Sequence, residues 1–403
     1  MKRSMSFAGP VVVAASLLFT LSCSQKQAGI PAGPEFQKKF QEALILAKPG
    51  AVIELPEGKH EVTGQLSLTV DNVTIRGKGM DKTILSFKNQ TTGSAGMLVT
   101  GNQFTIEDVA FEDTKGDGLK INGSTGVTIR RVRAEWTGGP KATNGSYGLY
   151  PVQCKNVLVE DSVVKGASDA GIYVGQSKNI IVRRNRAEYN VAGIEIENSQ
   201  DADVYQNTAT HNTGGLLAFN LPDLPVKDGK NARLFENNVF ENNTDNFAPK
   251  GTMVSKVPAG TGVVILATNH IDVFKNTIKD NGTANVSIIS YMTTGNPMND
   301  PTYYPFTDDI YIHDNTMSGG GDKPTGRLAE ALVPTLGKPL PSILYDGVAD
   351  PKKGPANICA QNNTGAVFVN YDAAGGFKHM LKNAAANNCA LPPLNAVAGF
   401  GGD

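Results

Sequence analysis

Glu195 and Glu197 stand two residues apart in the apolar-alternating run Gly193-Ile-Glu-Ile-Glu197. On a β-strand that spacing puts both carboxyls on one face, about 7 Å apart. Mutual repulsion raises one pKa and leaves a general acid beside a base, the pairing that glycoside hydrolysis uses. The same two carboxylates are also spaced to bind Ca²⁺. Tyr150 and Tyr173 hold the equivalent place in two earlier runs, and Lys120 holds it in a third. A phenol there can act as acid or base in an elimination at a uronate, with the Lys120 ammonium neutralising the sugar carboxylate. Gln153, Gln176, Asn198 and Asn220 lie just beyond these runs and offer amides to sugar hydroxyls. His211 sits before Thr213-Gly-Gly215, within reach of the same edge. The plain alternatives are solvated surface glutamates and tyrosines that pack as a ladder.

These residues need a scaffold that repeats, and the chain supplies one. A polar residue followed by alternating apolar positions recurs at Gln103-Phe-Thr-Ile106, Gly126-Val-Thr-Ile129, Asn156-Val-Leu-Val159, Asn179-Ile-Ile-Val182, Asp201-Ala-Asp-Val204, Asn231-Ala-Arg-Leu234, His270-Ile-Asp-Val273 and Asp309-Ile-Tyr-Ile312. This is strand A, and a shorter strand B follows it. Strand C opens on glycine, as at Gly118, Gly148, Gly171, Gly193, Gly215 and Gly262. Three short strands in about 22 residues describe one turn of a right-handed parallel β-helix, an all-β solenoid whose turns bury their apolar faces only by stacking. Asn185, Asn207, Asn237, Asn276 and Asn315 recur at one corner, and Asn190, Asn212, Asn242 and Asn281 at another. Stacked amides there are expected to hydrogen-bond along the solenoid and to take left-handed backbone conformations.

Insertions point to the working face. Strand A recurs after 23 residues between Gln103 and Gly126 but after 39 between Asn231 and His270. The extra residues fall at 138–145, 222–230, 244–260 and 292–307, before or after a strand C each time. Long loops flanking one rigid sheet make the walls of a groove. Its floor would be the outward residues of strand C, with the amides beyond them.

The ends read differently. Lys2 and Arg3 precede the apolar run Val11–Leu21, and Ser22-Cys23 follows, the pattern of a bacterial lipoprotein signal with Cys23 as the lipidated residue. We read residues 1–22 as the signal, 23–34 as a tether, 35–320 as the β-helix and 321–403 as an irregular C-terminal cap. Phe36, Phe40, Leu44 and Ala47 share one face of a helix that closes the first turn. Cys359 and Cys389 are expected to pair in an oxidising compartment, while Cys154 is a small buried residue. Alternating acids and arginines, Glu107-Asp108, Arg130-Arg131, Glu160-Asp161 and Arg183-Arg184, read as surface ion pairs. With a formal charge of −1, the chain carries no basic nucleic-acid surface. The histidines show no metal spacing, so no metal site and no certain cofactor is read, calcium at the glutamates aside.

The opening Pro49-Gly-Ala-Val-Ile-Glu-Leu-Pro-Glu-Gly58, with Val73-Thr-Ile-Arg-Gly-Lys-Gly79 and Thr83-Ile-Leu85, resembles the start of pectate-lyase-like right-handed β-helix proteins. The coils after it resemble carbohydrate-binding proteins and sugar hydrolases, NosD-like periplasmic proteins and alginate C5-epimerases. The likeness runs from about residue 35 to 320. It implies a polysaccharide or glycan partner, while the Asp-Pro-His-Asp motif of alginate epimerases is absent. The expected protein is a monomeric lipoprotein of the cell envelope, in the outer membrane or the periplasm, or secreted. It would work as a lyase, epimerase or hydrolase. The alternatives are a non-catalytic glycan- or partner-binding lipoprotein and a NosD-like accessory protein, although the ligand cluster the last would need is missing from the sequence.

Overall fold

The computed structural model describes residues 29–399, so Cys23 and the signal lie outside the described residues. Strands A, B and C recur as read: Lys178–Arg183, Arg186–Glu188 and Ala192–Glu197 form one turn. Strands A and B join a nineteen-stranded sheet, and strands C form a second sheet of twelve. Apart from the antiparallel pairing of Phe368–Asn370 with Leu381–Lys382, the strands pair in parallel with their counterparts one turn on, so that Ile172, Ile194, Leu216, Val263 and Val286 align in one ladder. The ladder residues point into one continuous apolar core running the length of the solenoid. No turn could bury that surface alone.

The asparagines stack as expected. Asn207 Nδ2 donates to Asn237 Oδ1 at 3.0 Å, and Asn237 to Asn276 at 3.0 Å. A second column runs from Asn190 through Asn212 to Asn242. Each amide also donates to a backbone carbonyl, so the buried corner leaves no donor idle. The left-handed conformation is displaced by one residue from the expectation. Arg184, Gln206, Glu236, Lys275 and Asp314, each immediately before a ladder asparagine, carry φ near +55°. The turn is made by the residue outside the core, which leaves the asparagine amide aimed along the stack.

Helix α1 (Phe36–Leu46) closes the first turn with Phe36, Phe40, Ala43 and Leu44 buried, and Ala47 packs beside them. The cap at the other end is less irregular than expected. Ile343–Tyr345 pairs in parallel with Ala284–Ile289, and Ile358–Gln361 with Asp308–His313, so the ladders continue past residue 320. Short strands separated by prolines and by helix α2 (Gly326–Leu336) hid that continuation. Cys359 and Cys389 are disulfide-bonded and Cys154 is buried. The acid–arginine pairs form, with Arg131 on Glu107 and Asp108, and Arg184 on Asp161. Among the described residues no helix is long and apolar enough to cross a membrane.

Candidate functional site

All four insertions border the C sheet. The segment 136–146 precedes Tyr147–Val152 and 241–260 precedes Thr261–Leu266, while 220–229 and 290–307 follow Gly214–Phe219 and Ala284–Ile289. They form more than walls. Phe247, Val254, Val257, Tyr291 and Tyr303 fold back over the outer face and make a second apolar cluster there with Leu217, Phe219, Val264 and Leu266. Lys227 Nζ reaches Asp300 at 2.6 Å and ties two of the loops together.

Glu195 and Glu197 face outward from the solenoid, as expected, but they lie beneath this cover at 1% and 8% exposure. Tyr173, at 4%, pairs with Glu195 across the ladder, and Gly175 pairs with Glu197. With no side chain at position 175, the Tyr173 ring lies across the glycine. A Cβ there would meet the ring at 2.2 Å. The ring's hydroxyl thereby reaches Glu197 and donates to Oε1 at 2.6 Å. Burial raises the pKa of Glu195 well above the ordinary carboxylate range, and the charges of Glu197 and Asp169 add to the effect. Burial raises Glu197 too, against the stabilising hydrogen bonds from Tyr173 and Glu195. Burial thus favours the protonated form of both carboxyls, of Glu195 most strongly, and the Tyr173 hydroxyl donates to Glu197. The other Glu195 oxygen, Oε2, is buried without a partner. Among the described residues no three His, Cys, Asp or Glu side chains are grouped to hold a metal ion.

The open part of the face lies one to three turns earlier. Tyr147, Tyr150 and Tyr173 pack with ring centroids 4.4 to 5.1 Å apart. Lys120 Nζ sits 4.7 Å above the Tyr150 ring. Tyr147, Tyr150, Lys120, Asp117 and Asp169 are all half-buried. The Tyr147 hydroxyl points at Asp169 Oδ2, 3.5 Å away. Burial pushes Asp117 up to about 6, against the Lys120 charge and the Tyr147 amide. Burial, reinforced by Glu197, pushes Asp169 up to about 7. The Tyr150 phenol rises to about 12 through burial and the acids around it. Two carboxyls poised near neutrality, two phenols and one ammonium form an acid–base set open to solvent on one side.

Three members of this set, Asp117, Tyr147 and Asp169, escaped the sequence reading. Asp117 and Tyr147 immediately precede the strand C glycines, and Asp169 lies in the turn before its strand. Alternation counted from the glycine leaves these positions out, but Gly148 and the following Leu149 both face the core, which breaks the alternation and leaves Tyr147 on the outer face. The large Tyr147 in a column whose next members are Ala170, Ala192 and Gly214 was the available signal.

Other expected residues fall elsewhere. Asn198 Nδ2 donates to the Leu221 and Val226 carbonyls, and its Oδ1 accepts from the Leu221 amide. Asn220 Oδ1 accepts from the Gly229 amide. Both are buried and hold the 221–229 loop, so neither is free for a ligand. His211 bonds Thr210, lies near Glu241 and packs beside Tyr189, so its partners are outside the acid–base set. Gln153 is exposed and Gln176 half-buried, and their amides meet at 3.4 Å along the rim.

Residues 61–226 and 141–302 match the family model for the right-handed β-helix region, together more than half of the chain. The chain belongs to the right-handed β-helix family. Among solved structures, this β-helix protein is similar to the A-module of the mannuronan C-5 epimerase AlgE4 from Azotobacter vinelandii. The identity is 18% and the TM-score 0.56, covering 85% of this chain and 93% of that one. The AlgE6 A-module of the same enzyme type and organism follows at 16% identity and a TM-score of 0.50, covering 82% and 89%. Pectate lyase Pel9A matches at 13% identity and a TM-score of 0.39, covering 81% and 70%. At these identities the likeness is one of fold. No curated protein matches the chain by sequence.

Proposed function

We propose that this β-helix protein acts on an acidic polysaccharide, transferring a proton at a carbon next to the carboxylate of a uronate. The single observation carrying this reading is the half-open set Asp117, Lys120, Tyr147, Tyr150 and Asp169 on one face of the C sheet. The Lys120 ammonium neutralises the sugar carboxylate and makes the adjacent C–H acidic. Asp169 or Asp117, with pKa values near 7 and 6, accepts that proton. The Tyr150 phenol, held protonated, donates. Reprotonation from the opposite side inverts the carbon, whereas expulsion of the neighbouring glycosidic oxygen cleaves the chain by elimination. Hydrolysis by Glu195 and Glu197 fits less well, because a pair covered by loops and hydrogen-bonded to each other leaves no room for a sugar between them. The fold neighbours named as mannuronan C-5 epimerases add support for a polyuronate.

Incubation with alginate and pectate in D₂O tests the reading. Deuterium entering the sugar, or unsaturated uronate absorbing in the ultraviolet, is the expected outcome. Binding on a glycan array without either change would favour the non-catalytic alternative. The amino-terminal pattern ending at Cys23 supports attachment to the cell envelope through a lipid on that residue. Incorporation of labelled palmitate, lost in Cys23→Ala, is the expected result; a processed, unlabelled wild-type protein would argue for simple secretion.

A further inference from the structure

Two turns beyond the acid–base set the same face holds a pocket of about 710 Å³ between the 244–260 loop, helix α2 and the C strands. Its size suits a small molecule. Phe219, Val264, Leu266, Ile289, Leu328 and Phe377 supply its apolar walls. Four threonines and one asparagine in the lining are already committed. Thr261, Thr293, Thr294 and Thr325 donate their hydroxyls to the carbonyls of Pro258, Ser290, Tyr291 and Ala259 at 2.7 to 3.0 Å. The Asn246 amide goes to the Val254 and Val257 carbonyls. A hydrocarbon entering here would find hydrocarbon along the Val264, Leu266, Ile289 and Leu328 wall.

Charge at the rim supplies the second observation. Lys256 bonds the Thr294 carbonyl and Asn296. Arg327 lines the pocket, is exposed, and has no hydrogen bond or ion pair among the described residues. The carboxylate in the lining, Asp245, is exposed as well. A free guanidinium beside an apolar chamber matches a carboxylate or phosphate on a long chain, because its planar donors take either group in bidentate fashion.

We infer that this pocket binds a single-chain anionic amphiphile, with its hydrocarbon against Val264, Leu266 and Leu328 and its head on Arg327. The inference is independent of the uronate reading. The test is titration of the full-length protein with cis-parinaric acid, whose polyene chain fluoresces in an apolar site. Displacement by palmitate, by lysophosphatidate and by neutral palmityl alcohol follows. Saturation at one probe per chain is expected, with displacement by either anion at least tenfold better than by the alcohol. Palmitate outcompeting lysophosphatidate assigns a fatty acid, and the reverse assigns a phosphate head. Val264→Trp fills the chamber and should abolish binding; should that variant fail to fold, Ala331→Trp on helix α2 replaces it. Arg327→Gln, at an exposed position, should weaken both anions about tenfold and leave the alcohol unchanged. Undiminished probe binding in a folded, filled variant overturns the inference, as does an alcohol that competes equally with the anions whether or not Arg327 is present.

Discussion

Two stretches of one β-sheet face, built on the same backbone ladder, carry opposite chemistry. In the column Tyr173, Glu195, Leu217, Val264 and Ser287, the outward residue changes from acid to aliphatic in a single turn. The neighbouring column runs Gly175, Glu197, Phe219, Leu266 and Ile289. The inward column does not change with it, remaining Ile172, Ile194, Leu216, Val263 and Val286. Stacking in a parallel β-helix is driven by inward apolar burial and backbone hydrogen bonds, so it places little restriction on what faces out. At Lys120 and Tyr150 the face stays half-open, and at Glu195 and Glu197 it is buried. Beyond them, where the outward residues become apolar, the long loops fold down over it by the same hydrophobic burial that holds the core.

The comparison can be broken first at its polar end. Tyr150→Phe and Lys120→Ala should each lower turnover of a uronate polymer by about 100-fold or more, with the melting temperature little changed. Retention of full activity in both would leave the open stretch without a catalytic role.

The acids with raised pKa values offer a pH-dependent test. Asp117, Asp169 and Glu195 all have folded pKa values above their ordinary ones of 3.8, 3.8 and 4.5, so the fold favours their protonated forms. Their contribution to stability is therefore fully present below those ordinary values. It is lost as pH rises, through about 6 for Asp117, about 7 for Asp169, and through the raised Glu195 value. Denaturant melts should show stability falling from pH 5 to pH 8, and Glu195→Gln should remove part of that fall, raising stability at pH 8 by about 1–3 kcal/mol. An unchanged pH profile in Glu195→Gln would mean that this carboxyl ionises freely.

A smaller effect belongs to Gly175→Ala. The added methyl must push the Tyr173 ring aside and break its bond to Glu197, costing about 1–2 kcal/mol and altering the near-ultraviolet circular dichroism. If both signals match the wild type, the glycine is not what seats the ring. The smallest expected change is at His211→Ala, within about twofold in activity, since its partners Thr210, Glu241 and Tyr189 lie outside the acid–base set. A large loss of turnover there would move the site toward the strand B corner.

Much of this was legible in the chain itself. Period-two alternation repeated eight times defines the strands, and the asparagine columns define the corners, because each turn can bury its apolar face only against an equivalent turn. The insertions at 138–145, 222–230, 244–260 and 292–307 could be assigned to one sheet by counting alone. What resisted reading was whatever depended on a local kink or on a partner far away. Asp117 and Tyr147 lay on the wrong side of a glycine for the count, and Asn198 and Asn220 looked like free amides until the 221–229 loop was seen to use them. The coils after residue 320 lacked the repeat that would have announced them, yet Ile343 and Ile358 still find their places in the ladders.

The sequence by itself determined the solenoid, its corners and the sheet that carries the long loops, since each of these follows from a period that neighbouring residues express. Only the tertiary structure decided that the loops close over Glu195 and Glu197 while leaving Tyr150 and Lys120 half-open. Whether a carboxyl is solvated or sealed depends on segments such as Tyr303 and Phe247, fifty or more residues away in the chain, and no local pattern records where those come to rest.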